Sequence, residues 1–566
     1  MGVVRTALLM GILLWFSFVA NGLNLWPMPA SVRYGSGILY LSNNFQLRTE
    51  GSKYSDDSRI LNDAFLKMVD VVKVAHVIDG SVPKSGVLDG LHVRIFSEDD
   101  KLNFGTDETY KLSIPASGEE TYAQIEGLTI SLHVVHVLNL GNYAKFHTLF
   151  AGQQCCLTHA RTGQNIPGMP LAQTVYGALH ALETFSQLCY FNFTSKIIEL
   201  HSAPWKIIDQ PRFPYRGLLI DTSRHYLPLA VIKKVIDTMS YVKLNVLHWH
   251  IVDRESFPLE MPSYPNLWNS AYSYSERYTT ADALEIVLYA QRRGINVLAE
   301  IDVPGHARSW GLGYPSLWPS FNCREPLDVS NEFTFQVLDG ILSDFSKVFK
   351  FKFVHLGGDE VNTTCWTVTP HIKNWLKKKG MNESDAYRYF VLRAQKIASS
   401  HGYEFINWEE TFNDFGKQLS PKTVVHNWLG RGVAKKVVDA GLRCIVSNQD
   451  KWYLDHLDAT WEGFYMNEPL ENITNPGKQK LVLGGEVCMW GETADASDIE
   501  QTIWPRAAAA AERLWTPTWK LATDPKLVAP RLAHFRCLLN KRGVAAAPLF
   551  APGRGTPPFT GSCIQQ

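Results

Sequence analysis

Asp359 and Glu360 are adjacent carboxylates that follow two glycines, Gly357 and Gly358, at the end of an apolar run carrying Phe351, Phe353, Val354 and Leu356. Such a run reads as a buried strand with polar residues at its C-terminal end. Neighbouring side chains on a strand point to opposite faces, so both acids can serve one site only if the backbone turns between them. The glycine pair gives it that freedom. Paired acids at a strand end suit catalysis by proton transfer and electrostatic stabilisation. An isolated Asp-Glu pair is ordinarily an acidic loop, but here the pattern of apolar run and polar end recurs along the chain.

Eight such runs are present: RGLLIDTSRH from Arg216, NVLHWHIVD from Asn245, INVLAEIDVPGH from Ile295, FVHLGGDE from Phe353, YEFINWEE from Tyr403, TVVHNWLG from Thr423, RCIVSNQ from Arg443 and LVLGGEVCMWGE from Leu481. Helical spacing fills several intervals, over 229–241, 281–293, 332–349 and 385–399. Eight strand–helix units predict an α/β fold, a (β/α)8 barrel over 211–566 with its site on the C-terminal rim. Helices over 500–514 and 528–541 would close it. An open doubly wound sheet would want a Gly-rich phosphate loop after an early strand, and the sequence has none. Upstream, 24–210 mixes strand patterns at 91–96, 110–114 and 128–140 with helical spacing at 56–72 and 174–188, which predicts a smaller α+β domain. The polar, Gly-rich stretch 155–170 reads as a loop. Residues 1–23 combine Arg5 with an apolar run from Ala7 to Ala20 and read as a secretory signal peptide.

Composition narrows the partners. Fifty-five basic and 55 acidic residues leave no formal charge, so neither nucleic acid nor an anionic membrane is an electrostatic partner. The substrate is expected to be neutral. No later stretch is long and apolar enough to span a bilayer. Nine cysteines in a secreted chain allow up to four disulfides; Cys444 and Cys488 sit in apolar runs, as buried free thiols do. Glycosylation sequons occur at Asn192, Asn382 and Asn472, and at Asn362, where a glycan would crowd the acids.

The expected rim collects Arg216, Asp253, His306, Asp359, Glu360, Trp408, Trp428, Tyr453, Trp490 and Glu492. Acids, an arginine and several tryptophans suit a pocket that binds hydroxyls and the apolar faces of sugar rings. Metal chemistry is the rival, because His248 and His250 alternate on one strand and so share a face with Asp253 nearby. No third histidine follows at ligand-like spacing, and neither metal nor cofactor is expected.

The blocks FPYRGLLIDTSRHYLP, KLNVLHWHIVD, VLAEIDVPGH, HLGGDEV, GGEVCMWGE and AAAAERLW together resemble the β-N-acetylhexosaminidases of the lysosomal and plant secretory type, glycoside hydrolase family 20. The resemblance covers nearly the whole mature chain and is strongest from Phe213 to Arg536. It implies an exo-acting, substrate-assisted retaining enzyme that removes terminal β-linked N-acetylglucosamine or N-acetylgalactosamine. Glu360 would be the general acid and then base, and Asp359 would orient and stabilise the 2-acetamido group, whose oxygen is the nucleophile. Tyr453 would donate to that oxygen. Trp408, Trp428 and Trp490 would line the acetamide pocket, Arg216 and Glu492 would bind hydroxyls, and Asp253 with His306 would form a polar chain behind Glu360. Asp455 stands where relatives that accept sulfated sugars carry a basic residue nearby, which implies a preference for neutral termini. Cys323 and Cys365 fall in loops that neighbour each other on a barrel rim, and Cys537 with Cys563 would pin the tail; both pairings agree with the family pattern. The family's habits leave a homodimer open, and the signal peptide is compatible with vacuole, lysosome, cell surface or extracellular space. A binding barrel that had lost its chemistry would be expected to have lost Glu360.

Overall fold

The protein is described by a computed structural model over residues 23–73, 77–116, 121–126 and 174–549. The expected signal peptide, the strand at 128–140, the loop at 155–170 with Cys155 and Cys156, and Cys563 lie outside these residues. Two sheets organise the chain. The first has six strands, β1 (Ser31–Arg48), β2 (Val87–Arg94), β3 (Tyr110–Ile114), β4 (Tyr122–Glu126), β5 (Cys189–Asn192) and β6 (Ile197–Asp209), in the order β1-β2-β4-β3-β6-β5 with β1 also pairing β6. Alternating burial along β3 and β4 shows one covered face. Two helices, α1 (Ile60–Lys73) and α2 (Val175–Leu188), share its apolar core through Phe65, Met68, Ala181 and Phe185.

The second sheet is a closed barrel of eight strands, each parallel to its neighbours: β7 (Tyr215–Asp221), β8 (Val246–Val252), β9 (Asn296–Ile301), β10 (Phe353–His355), β11 (Glu404–Trp408), β12 (Val424–Asn427), β13 (Arg443–Val446) and β14 (Val482–Met489). Each falls in one of the eight runs. They read as continuous apolar segments because parallel barrel strands are covered on both faces. The helix expected over 229–241 is present as Leu229–Tyr241, and those expected over 332–349 and 385–399 as Glu332–Val348 and Glu383–Ser400. The single helix expected over 500–514 is instead two, Ile499–Ile503 and Arg506–Trp515, separated at Pro505; a proline ring cannot donate the backbone bond that would carry the helix through.

The barrel interior is layered. Val246, Leu298, Phe353, Ile406, Val424 and Ile445 make an apolar floor. Above it lies a fully buried polar layer of His248, Glu300, His355, His426 and Glu486, where barrels of this kind ordinarily place branched aliphatics. The candidate site sits on top.

Buried ion pairs join the two units. Glu108, just before β3, takes Arg216 Nη2 at 2.5 Å, His180 Nε2 at 2.8 Å and Asn245 Nδ2 at 3.1 Å. Asp209 at the end of β6 takes Lys243 Nζ and Trp515 Nε1, each at 3.0 Å, and Tyr110 OH at 2.8 Å. Among the described residues no helix is long and apolar enough to cross a membrane.

Candidate active site

The acidic pair is built by a backbone that leaves the barrel. β10 stops at His355, after which Gly357, Gly358 and Glu360 all have positive φ, at 59°, 98° and 49°. Gly357 leaves no room for a side chain: a Cβ there would lie 1.9 Å from Asp302 Oδ1. Asp302, just beyond β9, accepts the Gly358 N–H at 2.8 Å and so holds the turn. Glu360 is not a glycine, and its left-handed conformation is the kind of strain that cores retain at working sites. The turn sends Asp359 inward, where it is buried, and leaves the Glu360 side chain 55 % exposed at the mouth. A disulfide between Cys323 and Cys365, Cα atoms 5.5 Å apart, ties the loop after β9 to the segment that follows the pair.

Both acids face His306, itself at φ 48°. His306 Nε2 lies 3.4 Å from Glu360 Oε2 and 3.8 Å from Asp359 Oδ2, while Nδ1 lies 3.0 Å from Asp253 Oδ1. Asp253 Oδ2 in turn faces His250 Nε2 at 2.8 Å and Arg224 Nη2 at 2.8 Å. The hydrogen bond from His306 holds the Glu360 carboxyl below the usual range, so in the open site it gives up its proton more readily than an isolated glutamate. Burial, reinforced by Asp302, pushes Asp359 well above that range, and Asp302 is raised by its own burial. Asp359 Oδ1 is buried with no hydrogen-bond partner among the described residues.

Asp253, His306, Asp359, Glu360, Trp428, Tyr453, Asp455, Trp490 and Glu492 line one cavity of about 160 Å³, together with residues the sequence reading did not select: Arg224, Asp302, Gln449 and His456. Trp408 is 1 % exposed and forms the floor beneath, packed with Leu219, Tyr453 and Cys488. Trp428 and Tyr453 stack with ring planes 13° apart. The indole of Trp428 donates to Glu410 at 2.9 Å, and burial, with Asp359 nearby, raises the Glu410 carboxyl to about 8. Arg506 donates to the backbone oxygens of Leu454, His456 and Ala459 and so braces the loop that carries Asp455.

Arg216 is corrected. It lies at the start of β7, fully buried at the opposite end of the strand from the cavity, where it is held by Glu108, Phe213 O and Lys243 O. The cavity arginine is Arg224, eight positions on, pinned by Asp221 at 3.1 Å, Asp253 at 2.8 Å and Glu255 at 3.2 Å, and lying over Trp490. Both arginines belong to the RGLLIDTSRH run, and the rule that barrels work at their strands' C-terminal ends already favours the second.

The metal rival also changes. β10 and β12 bring His355 and His426 beside His248, a gathering that spacing along the chain does not show. His248–Glu300–His355, His248–His426–Glu486 and Asp302–His306–Asp359 each place three ligand-type atoms within 4.8 Å. Several of these atoms are already paired: His248 Nδ1 lies 2.7 Å from Glu486 Oε1, and His426 Nε2 lies 2.6 Å from Ser447 Oγ.

Cys444 and Cys488 are buried free thiols, Cys189 is a third free cysteine, and Cys537 is disulfide-bonded. Asn382 and Asn472 are exposed, whereas the Asn192 amide donates to Glu199 at 2.8 Å.

Relatives identify the family. The glycosyl hydrolase family 20 catalytic-domain profile matches residues 213–518. The chain is 62 % identical over 549 residues to beta-hexosaminidase 3 of Arabidopsis thaliana and 49 % identical over 554 residues to beta-hexosaminidase 1 of the same plant, covering 96 % of this chain and 94 % of the relative in each case. Among solved structures, a chitobiase of Flavobacterium johnsoniae superposes with a TM-score of 0.73 at 28 % identity, over 92 % of this chain and 73 % of that one. The barrel, its acidic turn and these likenesses place the chain in glycoside hydrolase family 20.

Proposed function

We propose that the protein is an exo-acting β-N-acetylhexosaminidase that removes single terminal N-acetylglucosamine or N-acetylgalactosamine residues with the substrate's own acetamide as nucleophile. The observation that carries this reading is Asp359 Oδ1, a buried acceptor without a partner beside a tryptophan-lined hollow. An amide N–H supplies the missing donor, and burying such an oxygen with no donor would cost on the order of 1–3 kcal/mol. The cavity, about 160 Å³, is small beside the ~300–1,000 Å³ of drug-sized ligand pockets, which suits one sugar ring rather than a chain.

In this reading Trp428 and Trp490 wall the acetamide and Trp408 floors it. Tyr453 donates to the acetamide oxygen, which attacks the anomeric carbon as the glycosidic bond breaks. Glu360 gives its proton to the leaving oxygen. Water then opens the oxazolinium ring at the same carbon, with Glu360 taking the water's proton, so configuration is retained. Asp359 offsets the ring's positive charge, and that charge lowers a carboxyl which burial and the neighbouring Asp302 keep raised. Arg224, Asp455 and Glu492 face the sugar's outer hydroxyls. Asp253 and His306 hold Glu360 from behind. Retaining enzymes with a carboxylate nucleophile need a second acid about 5 Å away across the sugar; the inward Asp359, whose Oδ1 is free to accept from an amide, serves the substrate-assisted alternative. Purified protein should release the chromophore from aryl β-glycosides of GlcNAc and GalNAc and leave the β-glucoside intact. Hydrolysis of the glucoside at a comparable rate would overturn the reading.

Sugar charge gives a second expected outcome. Burial raises the Asp455 carboxyl to about 6. Above that pH it is ionised and repels a 6-sulfate; below it the repulsion fades. The ratio of 6-sulfated to unsulfated arylglucosaminide turnover should therefore be low at pH 7 and rise towards pH 5, and Asp455→Asn should flatten that trend. For assembly, mouse beta-hexosaminidase subunit beta, 42 % identical over 396 residues, is named as a subunit, which supports an assembly of more than one chain; a homodimer is the form to test by sedimentation. An acidic secretory compartment, vacuole or lysosome, or the cell exterior, suits a carboxyl that must carry its proton into the reaction.

A further inference from the structure

Glu300 stands at the centre of the polar layer, below the cavity and out of reach of any sugar. Its carboxylate is fully buried and joins two sets of groups that the proposed reaction uses separately. Oε2 accepts from His250 Nδ1 at 2.6 Å, and His250 Nε2 continues to Asp253, His306 and Glu360. Oε1 accepts from Trp408 Nε1 at 2.9 Å, and Trp408 is the floor of the tryptophan hollow; each oxygen also has a buried histidine beside it, His355 Nδ1 at 2.8 Å from Oε1 and His248 Nε2 at 3.0 Å from Oε2.

We propose that Glu300 is a positioning residue that holds the proton-donor chain and the acetamide floor in one register, through one carboxylate with an oxygen for each. The inference rests on the roles proposed above for Glu360 and Trp408. His250 lies between two carboxylates, and carboxylates only accept, so both of its ring nitrogens carry protons. Burial opposes that charge, and Glu300 and Asp253 more than offset it, holding His250 well above the ordinary imidazole range. The Glu300–His250 bond is therefore charge-assisted and the stronger of the two, while the indole N–H is a neutral donor. A core that needed only to be filled would use branched aliphatics here. A buried acid saturated with donors costs desolvation, and it serves instead to fix the rotamers of the groups bound to it.

Glu300→Gln separates the two halves because an amide has one accepting oxygen. The oxygen stays with the charged His250, and the NH2 is turned against the Trp408 N–H, donor against donor. The expected result is a rise of tenfold or more in KM for aryl-GlcNAc and in Ki for the cyclic thiazoline of GlcNAc, with the dependence of kcat on leaving-group acidity unchanged. Trp408→Phe, which removes that one N–H and keeps a ring, should raise the thiazoline Ki by a similar factor. In the double variant, with no N–H left to oppose, Glu300→Gln should add less than twofold to the Ki of Trp408→Phe. Unchanged Ki in Glu300→Gln, or equal penalties from Glu300→Gln with and without the indole N–H, would overturn the proposal. Should Glu300→Gln fail to fold, an unchanged thiazoline Ki in Trp408→Phe alone would still overturn it. Wild-type inhibition by the thiazoline is measured first; its absence would sink the proposed reaction, not the coupling.

Discussion

Glu360→Gln and Asp359→Asn are expected to fail in different ways. Glu360→Gln keeps the shape of a half-exposed side chain and loses its proton. For a dinitrophenyl glycoside, whose leaving group needs no proton, kcat/KM, which reports glycosidic cleavage, should change little, while for an alkyl glycoside it should fall by about 10²–10⁴-fold, the usual share of a positioned general acid; kcat should fall for both, because ring opening has lost its base. Asp359→Asn removes the charge facing the oxazolinium-like state, so every leaving group should suffer alike, by roughly 2–4 kcal/mol. Its stability should move the other way. A carboxyl whose folded pKa is raised binds its proton more tightly when folded, so its contribution is favourable in acid and declines as pH rises above the ordinary aspartate value. Asn, a neutral isostere, abolishes that decline. Thermal unfolding at pH 7 should thus show Asp359→Asn more stable than wild type although much less active. A leaving-group-dependent loss in Asp359→Asn, or a trapped glycosyl ester on a protein carboxylate, would replace substrate assistance with a two-carboxylate mechanism.

The second large effect lies at the other end of the barrel. Glu108→Ala should cost about 3–5 kcal/mol, because it strands the Arg216 guanidinium, fully buried, without its anionic partner. Two sheets with separate cores need not unfold as one, so denaturation should be followed with probes in each. Burial works against the Glu108 charge, and Arg216 and His180 more than offset it, bringing the carboxyl down to about 2. A depressed carboxyl contributes its stability above the unfolded value near 4.5 and loses it as pH falls towards 2. The clamp therefore survives mildly acidic conditions, and the Glu108→Ala penalty should shrink only below about pH 4. Arg216→Met should lower stability with KM for aryl-GlcNAc unaltered, whereas Arg224→Met should raise KM. The reverse pattern would restore Arg216 to the site.

Much of the protein was legible in the chain because its signals are local. Eight strands covered on both faces must be apolar throughout, so β7 to β14 stand out as runs. Gly357 and Gly358 before two acids announce a turn that takes one acid off the strand direction, and the backbone turns there with positive φ at Gly357, Gly358 and Glu360. Pro505 shows the limit of a periodicity reading: the apolar spacing of 500–514 is helical, yet one residue without an N–H cuts it in two.

What the sequence by itself determined was the barrel, its working end and the pair Asp359 and Glu360, since each follows from the order of side chains along a single strand. Which arginine faces the cavity, which tryptophan floors it and which carboxylates are raised or lowered were decided by the tertiary structure. Glu300 meets His250, Trp408 and, through their partners, Glu360 only because four strands close around it. Its neighbours lie 50 and 108 positions away in the chain. Burial and charge act through space over a few ångströms, and a linear sequence carries no measure of that distance until the barrel has closed.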